Sequence, residues 1–500
     1  MRHHRDSEGQ LQIKESRLHI SGFLRTATRD GLVVLFHQLH PELIYLSERI
    51  WERIVKTAVF ELASEDLDGL VRELADRRIL VDSCNADTEE LERARASVAQ
   101  SFDRPEILYL MMAQGCNFAC TYCPIPALAK RYGDNLLSFE DAVRGIALWQ
   151  RHIGDHTDQD SYFLIFYGGE PLLNRGVLEQ LLPYIDGELQ AGRLPDRLEL
   201  MLCTNGSLID ERLSKLLARY NVTVAVGIDG PQEHNDRIRV AIDGGSTFSK
   251  IERAIKQLVS DGVRVVASTT ITPANARRLN EYPAFLRGLG VSQFGFNLMK
   301  GRALVRELAD IGMSVREYCQ SAALGVLRGL EDAADGHYYE YQLEKKLSAL
   351  KDSLPFSVDC TCYGNQLVVH ADGQISNCPF LRADQRHVRE LPDTFRIWRT
   401  KIVQAWRHRL PIFGDASTMA GIDGLLDGGG CAWGSSEIDG NVTARDEVNA
   451  LFAKEVANEL LWRILPGERA DALRRGESTY WGYRRIGHLQ SSEHDGFKNH

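Results

Sequence analysis

The chain has 500 residues, of which 44% are apolar and 26% charged, a composition typical of a globular protein with well-filled cores. Its net charge of −10 argues against broad nucleic-acid binding, because that needs clustered Lys and Arg. No apolar stretch follows the N-terminus and no run of about eighteen apolar residues occurs, so we expect a cytoplasmic protein without a membrane span.

The first part of the chain is expected to hold a loose N-terminus (1–16) and a small α+β unit (17–85). Its patterns predict four strands, a helix at Glu48–Lys56 and a second helix carrying Leu67, Leu70, Val71 and Leu74. The predicted strands are Arg17–Leu24, Gly31–His37, Leu43–Leu46 and Ile79–Val81. This order is winged-helix-like; a plain packing subdomain fits it as well as a binding module does.

Between residues 100 and 320, apolar strands alternate with longer helical stretches. The candidate strands are Ile107–Met112, Tyr162–Tyr167, Leu198–Cys203, Val222–Ile228, Val263–Ile271 and Phe294–Leu298. Six strand–helix repeats predict an α/β fold in which a parallel sheet curls into a partial (β/α)6 TIM-like barrel. Active residues are then expected at the carboxyl ends of the strands.

A cysteine-rich loop, Gly115–Pro124, follows the first of these strands. It places Cys116, Cys120 and Cys123 in a C-x3-C-x2-C run. Three thiolates so close together can hold three corners of a cubane iron–sulfur cluster and leave the fourth iron open to a small molecule. The alternatives are a zinc knuckle or three unrelated buried cysteines, although zinc favours four ligands on paired arms.

With Tyr122 before its last cysteine, this loop resembles the cluster loop of the radical S-adenosylmethionine (SAM) enzymes. The resemblance implies a [4Fe-4S] cluster whose open iron binds SAM. It also implies one-electron cleavage of SAM to methionine and a 5′-deoxyadenosyl radical, which abstracts hydrogen from the substrate.

The next two strand ends carry glycine motifs. Gly168, Gly169 and Glu170 follow the second strand, and Asn205 lies in a turn after the third. Taken alone, each is an ordinary turn. The first is similar to the Gly-Gly-Glu motif of the family, which implies contact with the amino group of SAM, and the second to a turn beneath SAM.

The later strand ends resemble those of peptide-modifying and sulfatase-maturing members of the family. By that resemblance Arg239 contacts the SAM carboxylate and Leu298 lies under the adenine. This chain departs from the pattern at Gly227, where the family has a Ser that touches SAM. A neighbouring hydroxyl, on Ser268 or Thr269, could replace it.

A second cysteine group lies between residues 340 and 440. Cys362, Gly373 and Cys378 match the C-x(9–15)-G-x4-C signature of the SPASM and twitch auxiliary-cluster domains, and Gln366–His370 with Gln374–Ser376 reads as a hairpin that brings the cysteines together. Cys360 and Cys431 complete four thiolates, enough for one auxiliary cluster, of the [4Fe-4S] type by the resemblance, or for a structural zinc. The remaining Cys84, Cys203 and Cys319 are expected to be packing residues.

Residues 441–500 are predicted to form a C-terminal helix and tail. Thr443 could cap the helix, and Pro466 and Gly467 end it. Its apolar face comprises Val448, Leu451, Phe452, Val456, Leu460, Leu461 and Ile464. The terminal residues, with His488, His494 and His500, are expected to be a loose terminus rather than a metal site.

Together these motifs indicate a radical SAM enzyme that oxidises a ribosomally made precursor peptide or small protein, for example to a thioether or carbon–carbon crosslink. The N-terminal unit would bind the leader of that peptide by strand addition, and flavodoxin or ferredoxin would supply electrons. Alternatives are a formylglycine-forming sulfatase maturase, a small-molecule radical SAM oxidoreductase, and a non-catalytic iron–sulfur scaffold or redox sensor. The sequence assigns no catalytic acid or base.

Overall fold

A computed structural model describes residues 18–57, 69–103, 105–154, 161–331, 339–340, 359–382, 386–414 and 426–483. The predicted loose N-terminus (1–16), Leu67 and the three tail histidines lie outside the described residues. Among the helices in these ranges, none is both long and apolar enough to cross a bilayer.

The first part of the chain forms an α+β unit. It contains β1 (His19–Ile20), β2 (Leu24–Arg29), β3 (Leu32–His37), β4 (His40–Ser47), α1 (Glu48–Lys56), α2 (Leu70–Asp76) and β5 (Leu80–Val81). Strands β2, β3 and β4 are an antiparallel meander, and β1 pairs with β5. The single strand predicted at Arg17–Leu24 is wrong in extent. The chain turns after β1, where Leu24 N donates to Ser21 O, and β2 begins at Leu24.

Strand β2 escaped prediction because its sequence, LRTATR, lacks an apolar run. The turn after it does carry a sequence signal. Asp30 and Gly31 both have positive φ, 52° and 77°, as a two-residue type I′ hairpin requires. An Asp-Gly pair before an apolar strand is therefore the feature that locates β2.

Strand β3 is buried on both faces, which places the α+β unit inside the molecule rather than beside it. Val33 and Leu35 pack toward α1 and α2, whereas Val34 and Phe36 belong to the main hydrophobic core. The sheet is therefore a layer between two sets of helices.

After α3 (Cys84–Ser101), the central sheet contains the six predicted strands, each within two residues of its predicted bounds. They are β6 (Ile107–Ala113), β7 (Tyr162–Gly168), β8 (Leu198–Thr204), β9 (Thr223–Gly227), β10 (Val265–Ile271) and β11 (Gln293–Leu298). They lie side by side in chain order and pair in parallel. The predicted partial barrel is confirmed.

Helices follow each strand and cover the outside of the barrel. They are α4 (Ile125–Tyr132), α5 (Phe139–Gly154), α6 (Arg175–Gln190), α7 (Glu211–Arg219), α8 (Gln232–Ile238), α9 (Phe248–Ser260), α10 (Tyr282–Gly288), α11 (Gly301–Ile311) and α12 (Val315–Glu331). Helix α7 begins after Asp210, whose carboxylate accepts from Leu213 N at 2.8 Å.

The sheet is wider than the six strands that the sequence predicts. β12 (Tyr339–Glu340) pairs in parallel with β11, and β13 (Gln366–Val369) pairs in parallel with β6. β14 (Ile375–Ser376) is antiparallel to β13, as the predicted hairpin requires. The hairpin that carries the second cysteine group is thus an extension of the barrel sheet.

The chain continues through α13 (Lys401–Arg407), α14 (Ala432–Asp439), α15 (Glu447–Arg463), α16 (Gly467–Arg475) and β15 (Tyr480–Tyr483). The cap predicted for α15 at Thr443 is wrong: Asp446 caps it, accepting from Asn449 N at 3.1 Å, while Thr443 bonds to Asn441. Thr443 lies too far before the first helical turn to reach its free N–H groups.

Helix α15 and strand β15 return to the N-terminal sheet. Tyr45 hydroxyl donates to Leu461 O, and Arg29 pairs with Glu459 at 3.0 Å. β15 pairs antiparallel with β4, giving the sheet order β15-β4-β3-β2. This pairing had no signal in the sequence, since the predicted tail was loose.

Candidate functional site

The first cysteine loop is fixed to the opposite side of the barrel opening. Ala119 N donates to Val240 O at 2.7 Å and Thr121 N to Ile238 O at 3.0 Å, at the end of α8. Phe118, between the cysteines, is buried. The loop therefore has a defined path between β6 and α4.

The three thiols of this loop are partly buried and close to one another. Burial raises the pKa of Cys116 to about 11 and of Cys120 to about 12, and the pKa of Cys123 is also raised by burial. Thiolates in such a place need a compensating cation. Three sulfurs on one loop, with Phe118 N donating to Cys116 Sγ at 3.4 Å, form a donor set that suits an iron–sulfur cluster.

Gly168 and Gly169 let the end of β7 approach the backbone of this cysteine loop. A Cβ at Gly168 would lie 2.4 Å from Ala113 O, and one at Gly169 would lie 2.0 Å from Gly115 O. Their neighbours bond directly: Glu170 N donates to Gly115 O at 2.9 Å. The paired glycines thus join two strand ends, besides any approach to a ligand.

Glu170 is completely buried and organises the turn after β8. Its carboxylate accepts from Thr204 Oγ1 at 2.7 Å, Asn205 N at 2.8 Å and Leu172 N at 3.0 Å. Burial raises the pKa of Glu170 to about 6, although these three donors act in the opposite direction. The predicted motifs after β7 and β8 therefore meet through one side chain.

Asn205 faces the cysteine loop from that turn. Its Nδ2 lies 2.8 Å from Asn117 Oδ1 and 3.8 Å from Cys116 Sγ. The structure thus brings the predicted residues of β6, β7 and β8 to one side of the barrel opening.

Asp229, just after β9, is a residue that the sequence analysis did not select, and it holds the side chain of Arg239. It is fully buried, its Oδ2 lies 2.8 Å from Arg239 Nε, and it accepts from Tyr122 hydroxyl at 3.0 Å and Thr270 N at 2.7 Å. Arg239 also lies over the Tyr122 ring, 5.7 Å from its centroid. An acidic residue two positions after a buried strand was the signal available in the sequence.

The last predicted barrel positions lie at the neighbouring strand ends. Leu298 ends β11, and the adjacent Asn297 donates to Ser268 Oγ at 3.3 Å. Ser268 pairs with Gly227 across β9 and β10. Thr269, the other hydroxyl considered, is buried and donates to Ile228 O at 2.7 Å, so Ser268 is the better placed of the two.

The second cysteine group also converges. Cys360 Sγ and Cys362 Sγ are 3.1 Å apart, and Asn377 donates to Cys362 O at 2.7 Å across the hairpin. Burial and the neighbouring thiols raise the pKa of Cys362 and of Cys378 well above the ordinary value. Cys431, at the start of α14, lies close enough to Cys360 and Cys378 for their charges to interact, so the four predicted ligands are neighbours.

The loop before Cys431 is held by carboxylates that the sequence did not single out. Asp446 accepts from Cys431 N at 2.8 Å, and Asp359 accepts from Gly430 N at 3.3 Å. Lys300, after β11, balances this charge. Although burial opposes its charged form, Cys431 and the carboxylates raise the pKa of Lys300 above its ordinary value.

An aromatic contact connects the two cysteine groups. Phe380, two residues after Cys378, lies 6.3 Å from the Tyr167 ring at the end of β7 and 5.5 Å from the Trp433 ring beside Cys431. Both groups therefore border the same opening of the barrel.

Of the other cysteines, Cys319 is buried, as expected of a packing residue, and Cys203 is half-buried on β8. Among the residues that the structure describes, no three His, Cys, Asp or Glu side chains converge tightly enough for a single metal ion. An iron–sulfur cubane needs no such tight convergence, because each cysteine binds a different one of its four irons. The donor atoms and the spacing of the two cysteine groups therefore suit such a cluster.

Comparison with known proteins agrees with this geometry. Residues 110–308 match the radical SAM superfamily. The chain is 28% identical over 297 residues to a cysteine-type anaerobic sulfatase-maturating enzyme of Clostridium perfringens strain 13, covering 56% of this chain and 76% of the relative. It is 21% identical over 313 residues to the radical SAM cyclopropyl synthase TigE of Paramaledivibacter caminithermalis, covering 57% of this chain and 64% of TigE.

A solved structure described as native anSMEcpe with bound AdoMet is similar in fold, with a TM-score of 0.58 at 20% identity, over 72% of this chain and 98% of the other. The matched family segment begins within β6 and reaches into α11, so it contains the cysteine loop and all six predicted barrel strand ends. Residues 110–308 of this chain are therefore a radical SAM domain.

Proposed function

We propose that this protein is a radical SAM maturase that oxidises a side chain of a ribosomally made precursor peptide, giving a thioether or carbon–carbon crosslink. The observation that carries the proposal is the placement of two cysteine groups around one barrel opening, with Phe380 in contact with Tyr167 and Trp433 between them. Relatives that act on proteins, the sulfatase-maturating enzymes, support a peptide or protein substrate.

In this proposal Cys116, Cys120 and Cys123 hold a [4Fe-4S] cluster that binds SAM. The auxiliary ligands, for a second cluster of the same type, are Cys360, Cys362, Cys378 and Cys431. Bound there, these groups would supply reductive SAM cleavage, hydrogen abstraction by the 5′-deoxyadenosyl radical and an acceptor for the electron that leaves the substrate.

The chain's own residues would bind and orient SAM. Arg239, buried beside Cys120, offers a cation for the SAM carboxylate. In the same proposal, the backbone around Gly168 and Glu170 would bind its amino group, Asn205 would lie beneath it, and Leu298 would contact its adenine. Tyr167 and Phe380 would exclude water from the space above.

The N-terminal sheet is proposed to bind the leader of the precursor by strand addition. β15 already occupies the outer edge of β4, whereas β2 ends the sheet within the described residues. We therefore place the peptide along β2. Pulldown of a precursor encoded nearby should be weakened when Thr26, on the exposed side of β2, is replaced by Pro, since Pro disrupts pairing at an edge.

The test of the main proposal is anaerobic. The full chain is reconstituted with iron and sulfide, reduced and given SAM, and 5′-deoxyadenosine is assayed beside a variant with Cys116, Cys120 and Cys123 all replaced by Ala. We expect 5′-deoxyadenosine from the parent alone, and about four irons retained in the variant by the second cysteine group. A parent that binds iron but forms no 5′-deoxyadenosine under any reductant would contradict the proposal and favour a scaffold or redox sensor.

A second candidate, oxidation of a sulfatase Cys or Ser to formylglycine, is favoured by the 28% identity to a sulfatase-maturating enzyme. Mass spectrometry of the product distinguishes the two reactions. A crosslink removes two hydrogens from the peptide and leaves no aldehyde. Formylglycine formed from Cys exchanges sulfur for oxygen and so differs in mass, whereas formylglycine formed from Ser also lacks two hydrogens and is recognised by the mass added when its aldehyde reacts with a hydrazide. A small-molecule substrate would leave both peptides unchanged.

A further inference from the structure

Gly227 ends β9 at the position where the family pattern has a Ser. Its φ does not lie in the left-handed region, so the backbone there does not itself require glycine. The space does. A Cβ at Gly227 would lie 2.4 Å from Arg239 Nη1, 2.8 Å from Cζ and 2.9 Å from Nη2.

The guanidinium that fills this space is held in place. Arg239 Nε lies 2.8 Å from Asp229 Oδ2, and Nη2 donates to Asp229 Oδ1 at 3.2 Å. The backbone of Arg239 is fixed too, since its N–H donates to Asn235 O at 2.7 Å and its carbonyl accepts from Thr247 Oγ1 at 2.7 Å. A side chain at Gly227 must therefore move the guanidinium and break a buried ion pair.

That ion pair reaches the first cysteine loop. Asp229 also accepts from the hydroxyl of Tyr122, which stands between Cys120 and Cys123. Three features therefore determine the position of the guanidinium: the space left by the missing side chain of Gly227, the carboxylate of Asp229 and the ring of Tyr122.

We propose that Gly227 is a positioning residue, which reserves the space for the Arg239 guanidinium and so shapes the pocket for the SAM carboxylate in this chain. The proposal rests on SAM binding beside the first cysteine loop, as proposed above. It makes the opposite prediction to the family pattern. If a Ser here only added a contact to SAM, Gly227→Ser would tighten binding; because it collides with Arg239, it should weaken binding.

The test measures SAM affinity by equilibrium dialysis on the reconstituted full chain, with iron content and thermal melting recorded for every variant. Gly227→Ser should lower the affinity about tenfold or more, with iron content unchanged. Gly187→Ser is the matched control, because Gly187 lies on the exposed side of α6 and a Cβ there meets no atom within 4 Å. It should leave affinity unchanged.

A double-mutant cycle separates positioning from a general effect on folding. In an Arg239→Lys background the guanidinium is gone, so Gly227→Ser should cost less affinity and less melting temperature than in the parent. Equal costs in both backgrounds, or parent-like SAM affinity in Gly227→Ser, would overturn the inference while the proposed function stands. If the parent itself binds no SAM, the proposed function fails, and the melting cycle alone decides whether Gly227 positions Arg239.

Discussion

Replacing Glu170 by Gln tests which of two opposing effects controls the buried junction between the motifs after β7 and β8. Burial raises the pKa of Glu170 from 4.5 to about 6, whereas the donors Leu172 N, Thr204 Oγ1 and Asn205 N favour the charged form. Because burial wins in this balance, the folded protein should hold the Glu170 proton more tightly than the unfolded chain does.

The magnitude follows from the difference between these two pKa values. A difference of about 1.5, at 1.36 kcal/mol for each pKa unit, gives roughly 2 kcal/mol. This contribution is complete below pH 4.5 and is lost as the pH rises through about 6. The unfolding free energy of the parent, minus that of Glu170→Gln, should therefore fall with rising pH, by roughly 1.2 kcal/mol between about pH 5 and pH 7.5.

Anaerobic urea titrations of both proteins across that range measure the difference. Asp210→Asn is the control. The hydrogen bond between Asp210 and Arg175 holds the pKa of Asp210 below its ordinary value of 3.8, so the contribution of the Asp210 carboxylate to stability is already complete at about pH 5. The difference in unfolding free energy between the parent and Asp210→Asn should therefore stay level across the range. If the difference between the parent and Glu170→Gln rose with pH, the reasoning for Glu170 would be refuted. It would mean that the three donors outweigh burial and hold the carboxylate charged.

Three further changes test other parts of the structure. Gly169→Ala places a Cβ 2.0 Å from Gly115 O and should destabilise the protein by about 3 kcal/mol, with loss of iron. Gly176→Ala is the control, because a Cβ there meets no atom within 4 Å, and it should be nearly neutral. Equal melting temperatures and iron contents in the two variants would contradict this prediction. Lys300→Met removes a positive charge beside the second cysteine group and should make the reduction potential of the auxiliary cluster more negative by about 60 mV, whereas Lys300→Arg keeps the charge and should not. Redox titration in the variant with Cys116, Cys120 and Cys123 replaced by Ala measures this potential alone. An unchanged potential in Lys300→Met would exclude a charge effect. Truncation after Gly476 removes β15 and exposes the edge of β4, so it should lower the melting temperature and cause self-association on size-exclusion chromatography. A monomer with an unchanged melting temperature would show that this edge does not need β15.

The barrel was predictable because each of its strands is rich in apolar or β-branched residues and the first four end in cysteine, glycine or polar motifs. Ile107–Ala113 and Tyr162–Gly168 follow this rule closely, and burial on both faces of a parallel sheet is its physical cause. Three more strands widen the sheet, and two of them, β12 and β13, pair directly with barrel strands. The sequence did not place these two in the sheet, because their partners are far away along the chain and pairing of that kind leaves no local pattern.

The cysteines of the candidate site were found from spacing, whereas the groups that organise them were missed. Asp229, Asp446 and Lys300 are single charged residues in a chain rich in charge. Only the fold shows that the two carboxylates are buried and that the half-buried Lys300 lies close to other charges. Gly227 was recognised as a departure from the family pattern, but its reason lies in the side chain of Arg239, twelve residues later. Spacing identifies a ligand set, and packing identifies what positions it.

The pairing of β15 with β4 affects how the molecule is made. Synthesis proceeds from the N-terminus, so β2, β3 and β4 leave the ribosome long before Tyr480–Tyr483 exists. During that interval the outer edge of β4 is unpaired, and the α15 residues that cover the other face of the sheet are also absent. Until β15 arrives, this open edge can pair with other chains, and an N-terminal fragment that lacks β15 carries the same exposed edge.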